Sequence, residues 1–147
     1  MSSEVERQTA SLTDDDDWVR AVASLIRLTE QGKLKWKSEL GPRSLQREPE
    51  KHVDVVFTTE FEGKKLRLYI ETTRVDDEIP LLNVVGIFKR KYPYWTEEAV
   101  LELGDQSEHG WYTFPHSEAV EELLDSVKYH VFGVDEFLNT VLEVPGA

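Results

Sequence analysis

Two runs of alternating apolar and polar residues, separated by a two-residue turn signal, constrain the fold of this chain more than any other feature. The first run is HVDVVFTTEF at residues 52–61, and the second is KKLRLYIETT at residues 64–73. Alternation with a period of two puts every second side chain on the same face of a strand. The intervening Glu62-Gly63 suits a tight turn, so the sequence predicts an antiparallel β-hairpin with Gly63 at positive φ. Its predicted apolar face consists of Val53, Val55, Phe57, Thr59, Phe61, Leu66, Leu68, Ile70 and Thr72.

Helical periodicity flanks this hairpin on both sides. The sequence predicts an N-terminal helix, which Thr13 or Asp14 would cap and Gly32 would end. This helix has an apolar stripe at helical spacing: Trp18, Val22, Leu25, Ile26 and Thr29. A C-terminal helix capped by Ser117 has a second stripe: Val120, Leu123, Leu124, Val127 and Val131. After Gly133 a third, short stripe follows: Val134, Phe137, Leu138, Val141 and Leu142. We expect the third stripe to close the core, the alternative being that it docks onto a partner or a second copy of the chain.

The remaining segments are assigned from their local composition. Residues 33–37 (KLKWK) alternate, which predicts a strand with Leu34 and Trp36 on one face. Prolines and a glycine predict irregular structure for residues 38–51, and residues 75–80 (VDDEIP) are predicted to form a loop. EEAVLEL and WYTFP are predicted as two further strands, and residues 81–95 receive no assignment.

The order of these elements predicts the fold class. Consecutive strands joined by short loops pair as an antiparallel meander, and amphipathic helices must cover its apolar face. We therefore expect an α+β fold, in which a meander of four to five strands is covered on one face by an N-terminal helix and C-terminal helices. Residues 1–12 are expected to be a flexible terminus, and residues 13–147 a single domain.

The two ends of the chain resemble a recurring type of small bacterial α+β protein. The resemblance lies in the pattern W-x3-V-x2-LI-x2-T-x2-GKLKW from Trp18 to Trp36 and in LLDSVKYHVFGVDEFLNTVL from Leu123 to Leu142. It implies a helix, a Trp-bearing strand, a meander and a closing helix pair. It implies no activity, cofactor or catalytic residue, and residues 80–95 depart from the short linkers of that type.

Charge is distributed unevenly along the 147 residues, whose formal net charge is −12. Residues 92–147 contain 12 acidic side chains and a single cation, Lys128. Such a field attracts basic partners and repels nucleic acid. The candidate binding residues are four carboxylates of the C-terminal helix and two rings: Glu118, Glu121, Glu122, Asp125, Tyr94 and Trp95. The two rings either pack onto the core or, if their segment is an exposed loop, form a protein-contact patch. The other interpretation of the acidity is that it serves solubility alone.

We interpret the chain as a non-catalytic protein-interaction or regulatory module that binds a basic protein, with no nucleic acid and no membrane as a partner. Homo-oligomerisation through the C-terminal helix is a further possibility. The chain has no cysteine, no apolar run long enough to cross a bilayer and no leader pattern, so we expect a soluble, cytoplasmic protein. The convergence test is whether Glu97, Glu98 and Glu102 join the four helical carboxylates on one surface.

An alternative is a small ligand-binding domain or enzyme with a pocket near His109, His116 and Ser117, which Asp105 and Glu108 would complete as an acid–base cluster. Any loop this polar would allow such a cluster, and the other interpretation is that these histidines are exposed loop residues. Nucleophile-elbow, dinucleotide-binding, P-loop and zincin motifs do not occur in the sequence. The acidic run at residues 14–17 favours a helix N-terminus over a metal site. We expect no cofactor and no metal.

Overall fold

The computed structural model describes residues 15–83, 86–107 and 109–146, and it describes residues 77–83 and 86–92 by their backbone alone. The predicted flexible terminus at residues 1–12 and the predicted caps Thr13 and Asp14 lie outside the described residues. In chain order the elements are α1 (Asp15–Glu30), β1 (Lys37–Leu40), a 3₁₀ turn (Arg43–Leu45), β2 (Lys51–His52), β3 (Val55–Phe61), β4 (Lys64–Asn83), β5 (Gly86–Asp105), β6 (Trp111–Thr113), α2 (Glu118–Val131) and α3 (Val134–Leu142). These elements form the predicted α+β class.

All six described strands belong to one antiparallel sheet. The strand order is β1-β3-β4-β5-β6, and β2 pairs with β4 beside this path. The predicted hairpin is β3 and β4, with Phe61 opposite Lys64 across the turn. Gly63 has a φ of 76° as predicted, and Glu62 also has a positive φ, of 51°. Two consecutive residues at positive φ indicate a type I′ turn, whose twist matches that of the flanking strands.

Two helices cover one face of this sheet, which we call the inner face. Leu68 of β4, Leu101 of β5 and Leu123 of α2 lie at the centre of the core, each with 1% or less of its surface exposed. The buried members of the core are Val22, Leu25, Leu34, Trp36, Phe57, Leu66, Leu68, Ala99, Leu101, Val120, Leu123, Leu124 and Val127. Trp18 and Ile26 are half-buried, so the predicted stripe of α1 meets the core mainly through Val22 and Leu25.

The strand predicted at residues 33–37 is wrong in position. The amides of Lys33 and Leu34 both donate to the carbonyl of Leu28, so the end of α1 holds this segment and sheet pairing starts at Lys37. Leu34 and Trp36 are nevertheless buried, as predicted. The segment predicted to be irregular, residues 38–51, contains most of β1, the 3₁₀ turn and the start of β2.

Val53 does not lie on the same face of the sheet as Val55, although the alternation predicts a shared face for them. The side chain of Gln46 pairs with the backbone of Val53, accepting from its amide at 3.0 Å and donating to its carbonyl at 2.7 Å. Val53 therefore lies outside the strand pairing, and its side chain packs with Val56 and Tyr69 on the opposite face of the sheet. Val55, at the start of β3, is 39% exposed.

The loop predicted at residues 75–80 is also wrong, because β4 continues through it to Asn83. Its backbone pairs with β5 from Val75 opposite Tyr94 to Asn83 opposite Gly86. In this stretch β4 is paired only with β5 among the described strands, so Pro80 occupies an edge position, where its missing amide is tolerated. The register also sets Glu78 opposite Lys91.

The prediction that α3 closes the core is wrong. α3 starts after Gly133, as predicted, but the structure buries none of its residues. Val120, Leu123, Leu124 and Val127 of α2 already fill the space above the sheet. None of the described helices is long and apolar enough to cross a membrane.

Replacing Leu25 with Ala should lower the free energy of unfolding by about 2 to 5 kcal/mol, because it opens a cavity between α1 and the sheet. Denaturant unfolding of both proteins measures the difference. Val19→Ala on the exposed side of α1 is the matched control, and its effect should stay below about 0.5 kcal/mol. Equal effects of the two variants would mean that α1 is peripheral.

Replacing Glu62 with Asn should raise the free energy of unfolding by about 0.5 to 1 kcal/mol, because Asn adopts positive φ more readily than Glu and Asn-Gly is the preferred type I′ pair. Glu60→Asn, within β3, should lower stability instead, since Asn is unfavourable in strands. Thermal denaturation separates the two signs. Destabilisation by both variants would contradict the turn assignment.

Candidate functional site

Four of the predicted binding residues lie together on α2. Glu118, Glu121, Glu122 and Asp125 are all exposed. At 3.6 residues per turn they occupy an arc of about 100°, on the side of the helix opposite its buried residues. We call these four carboxylates the acidic stripe. It exists because the apolar positions of α2 face the core, which leaves the carboxylates on the solvent side.

The three acidic residues of β5 that the sequence analysis compares with this stripe, Glu97, Glu98 and Glu102, do not join it. Glu102 is buried, with 7% of its surface exposed. Glu97 and Glu98 are both exposed, but adjacent residues of a strand point to opposite faces of a sheet. The seven carboxylates therefore do not converge on one surface, which favours solubility as the role of the acidity outside α2. The four residues of the acidic stripe remain together.

The two candidate rings, Tyr94 and Trp95, are exposed by 43% and 51%. As neighbours in β5 they also face opposite sides of the sheet, so they do not form one patch. The ring contact described for Trp95 is with His52 of β2, at 5.5 Å between centroids. Neither ring is placed on the helix that carries the acidic stripe.

The residues of the alternative pocket are dispersed along the segments around β6. His109 is exposed before β6. His116 lies after it, with Nδ1 3.1 Å from Glu98 Oε1 and both side chains more than half exposed. Ser117 occupies the N-cap position of α2 but makes no side-chain cap hydrogen bond. This geometry describes an exposed polar contact, and no catalytic role follows from it.

The apolar face of α3 is exposed from Phe137 to Leu142, and Val134 at its start is half-buried. At helical spacing Val134, Phe137, Leu138, Val141 and Leu142 share one side of the helix, which we call the α3 face. The exposed fractions are 65% for Phe137 and 78% for Leu142. Phe132 and Val144, which flank α3, are exposed by 64% and 54%. Single exposed apolar residues are common, but such a contiguous set is typical of an interaction surface.

A hydrogen bond connects the acidic stripe with α3. Tyr129 follows Asp125 by four residues, so it continues the stripe toward the end of α2. Its hydroxyl donates to Oδ1 of Asp135, in the first turn of α3, at 3.3 Å. Loss of hydration, followed by the charge of Asp135 and this hydrogen bond, raises the pKa of Tyr129 above its ordinary value. The hydroxyl is therefore a donor at neutral pH.

A groove runs beside the end of α2. Its volume is about 320 Å³, and its lining includes Phe57 of β3, Leu124 and Phe132. The rings of Phe57 and Phe132 meet edge to face at 6.1 Å, so Phe132 covers part of the core without being buried. Lys128, the single cation of the last third of the chain, also lines this groove. The remaining lining includes Asp54, Thr72 and Glu97, so the groove is part apolar and part charged, and none of its lining residues belongs to the acidic stripe or the α3 face.

The opposite, outer face of the sheet contains a polar row that sequence reasoning missed. The strand register places one residue from each of five strands side by side: Lys37, Thr58, Arg67, Glu102 and Thr113. Arg67 Nε donates to Glu102 Oε1 at 2.6 Å, and both side chains are about nine-tenths buried. Thr113 donates to the other carboxylate oxygen at 3.3 Å. Alternation does mark Arg67 and Glu102 as outward-facing, but their pairing depends on a register that the sequence does not reveal.

Aromatic side chains shield this ion pair from water. The Trp111 ring lies 4.0 Å from the Arg67 guanidinium carbon, a cation–π contact. It lies against Gly104, where a Cβ atom would come within 2.8 Å of the indole, so a glycine is required there. Burial, followed by the hydrogen bond and charge of Glu102, raises the pKa of Tyr69 well above its ordinary range. Tyr69 therefore remains a neutral donor to Glu102.

Among the described residues, no group of three or more His, Asp or Glu side chains is arranged to hold a metal ion. Asp15, Asp16 and Asp17 form the first turn of α1, where carboxylates stabilise the helix N-terminus. Asp14, the remaining member of the acidic run, lies outside the described residues.

Replacing Glu102 alone with Leu should lower the free energy of unfolding by about 3 to 5 kcal/mol, because it leaves the Arg67 charge buried without its partner. Replacing Arg67 with Met in the same protein should recover most of that loss. Glu39→Leu, which removes the exposed partner of Lys37, should cost less than about 1 kcal/mol. Denaturant unfolding measures all three, and additive losses in the double variant would contradict a coupled pair.

Comparison of the chain with protein-family models, with curated proteins and with solved structures found no match. The functional argument therefore depends on the geometry of the acidic stripe, the α3 face and the outer face of the sheet.

Proposed function

We propose that this protein is a non-catalytic interaction module that binds a basic, amphipathic protein segment through the α3 face and the acidic stripe. The observation that carries the proposal is that α3 has an apolar side, yet none of its residues is buried. An apolar helix face that the described part of its own domain leaves uncovered favours a partner, because helix-in-groove recognition buries such faces.

Charge decides which partner suits this surface. Between Glu118 and Glu143 the chain carries seven acidic side chains and one basic side chain. A second copy would bring these like charges together, which opposes self-association through this surface. A segment with apolar anchors and Lys or Arg residues beside them complements both the α3 face and the acidic stripe. The Tyr129–Asp135 hydrogen bond joins the helix that carries the acidic stripe to the helix that carries the α3 face.

The two parts have different physical roles in this proposal. Apolar and aromatic anchors such as Phe137 supply most of the binding free energy when a partner buries them. The acidic stripe is solvated, so it increases the association rate and selects basic partners more than it adds affinity. Binding should consequently weaken as salt rises, since the Debye length is about 10 Å at 0.1 M salt and shorter at higher concentrations.

The test begins with capture from the native host at low ionic strength and continues with each captured protein in purified form. The double variant Phe137→Ser/Leu142→Ser should weaken binding of the purified partner by about tenfold or more, while the free energy of unfolding changes by less than about 1 kcal/mol. Asn139→Ser/Thr140→Ser, on the polar side of α3, is the matched control and should leave the affinity unchanged.

Charge reversal of Glu118, Glu121, Glu122 and Asp125 to Lys should abolish salt-sensitive binding and keep the thermal midpoint within a few degrees, or raise it by relieving repulsion. A partner that binds this variant as tightly as the wild type would contradict the role of the acidic stripe. Sedimentation of the protein alone completes the test, since dimers that the α3 double variant dissociates would identify a second copy as the occupant instead.

A further inference from the structure

The outer face of the sheet has a cavity beside the buried ion pair. Its volume is about 210 Å³, and Val56, Thr58 and Arg67 form its floor. Ser44 of the 3₁₀ turn and Glu39 of β1 line one side. Lys65 and Trp111 line it as well, so two cationic groups and one ring face this space. The cavity is partly open, and more than half of its lining residues are polar or charged. Charged groups that converge beside an aromatic ring occur at small-molecule sites, where they fix the orientation of the ligand.

Arg67 has donors that its partner does not use. The hydrogen bond described for its guanidinium uses Nε, which donates to Glu102. The two terminal nitrogens carry four further N–H groups. The Arg67 side chain is about nine-tenths buried and lines the cavity, so the terminal nitrogens are the donors through which it would contact a ligand there.

We propose that this cavity binds the carboxylate of a small monocarboxylic acid, with the terminal nitrogens of Arg67 as its principal donors. The planar guanidinium fork matches the two oxygens of a carboxylate in a bidentate arrangement. Its position is fixed by Glu102 on one side and by Trp111 over its face, so little side-chain entropy is lost on binding. The site is separate from the surface proposed for the protein partner.

Size and charge restrict the ligand further. At about 30 Å³ per water molecule, the cavity holds the volume of about seven waters, which fits a short-chain acid. Val56, Leu40 and Pro42 provide apolar contacts for its alkyl part. Glu39, held 3.4 Å from Lys37, opposes a second negative charge. The site should therefore favour monocarboxylates over dicarboxylates.

Propionate, succinate and inorganic phosphate are the probes, titrated calorimetrically at constant ionic strength in a low-chloride buffer. The wild type should bind propionate with a Kd of about 1 mM or lower and bind succinate and phosphate more weakly. Tighter binding of phosphate would overturn the carboxylate assignment. Equal binding of all three would show an adventitious ion only, and absence of propionate binding would show that the cavity is not a carboxylate site.

Glu102→Gln gives the sharpest contrast. Gln retains an acceptor for Arg67 Nε but removes the competing negative charge, so propionate should bind about tenfold more tightly. Propionate should also raise the thermal midpoint of this variant more than that of the wild type, because it neutralises the uncompensated guanidinium. Unchanged affinity in a folded Glu102→Gln protein would overturn the role of Arg67.

Ser44→Trp is a second variant that keeps the proposal testable if Glu102→Gln does not fold. Ser44 is exposed at the rim, so a large side chain there fills the cavity without entering the core. It should abolish propionate binding and leave stability unchanged. Lys64→Gln, the neighbour of Lys65 on the inner face, is the matched control and should bind as the wild type does. Binding retained by Ser44→Trp would place the propionate elsewhere.

Discussion

The packing of α2 against α1 and the central strands determines which surfaces of this protein remain exposed. Val120, Leu123, Leu124 and Val127 all point into the core, where they meet the inner face of β3, β4 and β5. Because one helix has a limited apolar face, the carboxylates at its other positions must face solvent. The same packing fills the space above the sheet, and the described residues bury none of the side chains of α3. The acidic stripe and the α3 face are thus consequences of a single packing arrangement.

The two faces of the sheet differ in the interactions that hold them. The inner face is apolar and covered by helices, and its stability follows from buried area. No described helix lies on the outer face, which is protected instead by the segment around Leu45 and Val53 and by Trp111 lying against Gly104. Between these covers lies the Arg67–Glu102 pair, whose burial is tolerated because Thr113, Tyr69 and Trp111 contribute further contacts. Such a polar arrangement favours this register of β4 and β5, and it places Arg67 in the lining of a cavity.

Local patterns in the sequence predicted the elements better than their partners. Alternation and a turn signal identified the β3–β4 hairpin, and helical spacing identified α1, α2 and α3. Residues 75–80 were predicted to form a loop because Asp, Glu and Pro disfavour strands, but pairing with β5 outweighs that preference. Val53 continues the alternation in sequence, yet the Gln46 side chain takes the place of a neighbouring strand and turns it to the other face.

The candidate site was predictable only where a local sequence pattern determines it. The acidic stripe follows from helical periodicity, whereas the burial of Glu102 depends on which residue of β4 lies opposite it. Neither the Arg67–Glu102 pairing nor the Trp111–Gly104 contact has a local signal, because both join residues from different strands. The amphipathic pattern of α3 was visible in the sequence, but whether the core had room for it depended on the packing of α2.

Truncation after Gly133 tests the central claim most directly, since it removes α3 and leaves α2 and the sheet intact. The free energy of unfolding and its dependence on denaturant concentration would be measured for the truncated and the full-length protein. If α3 lies outside the core, the free energies of unfolding of the two proteins should agree within about 1 kcal/mol, because little buried surface is lost. Their denaturant slopes should agree within experimental error for the same reason. A loss of several kcal/mol with a smaller denaturant slope would show that α3 is part of the core and would contradict the account.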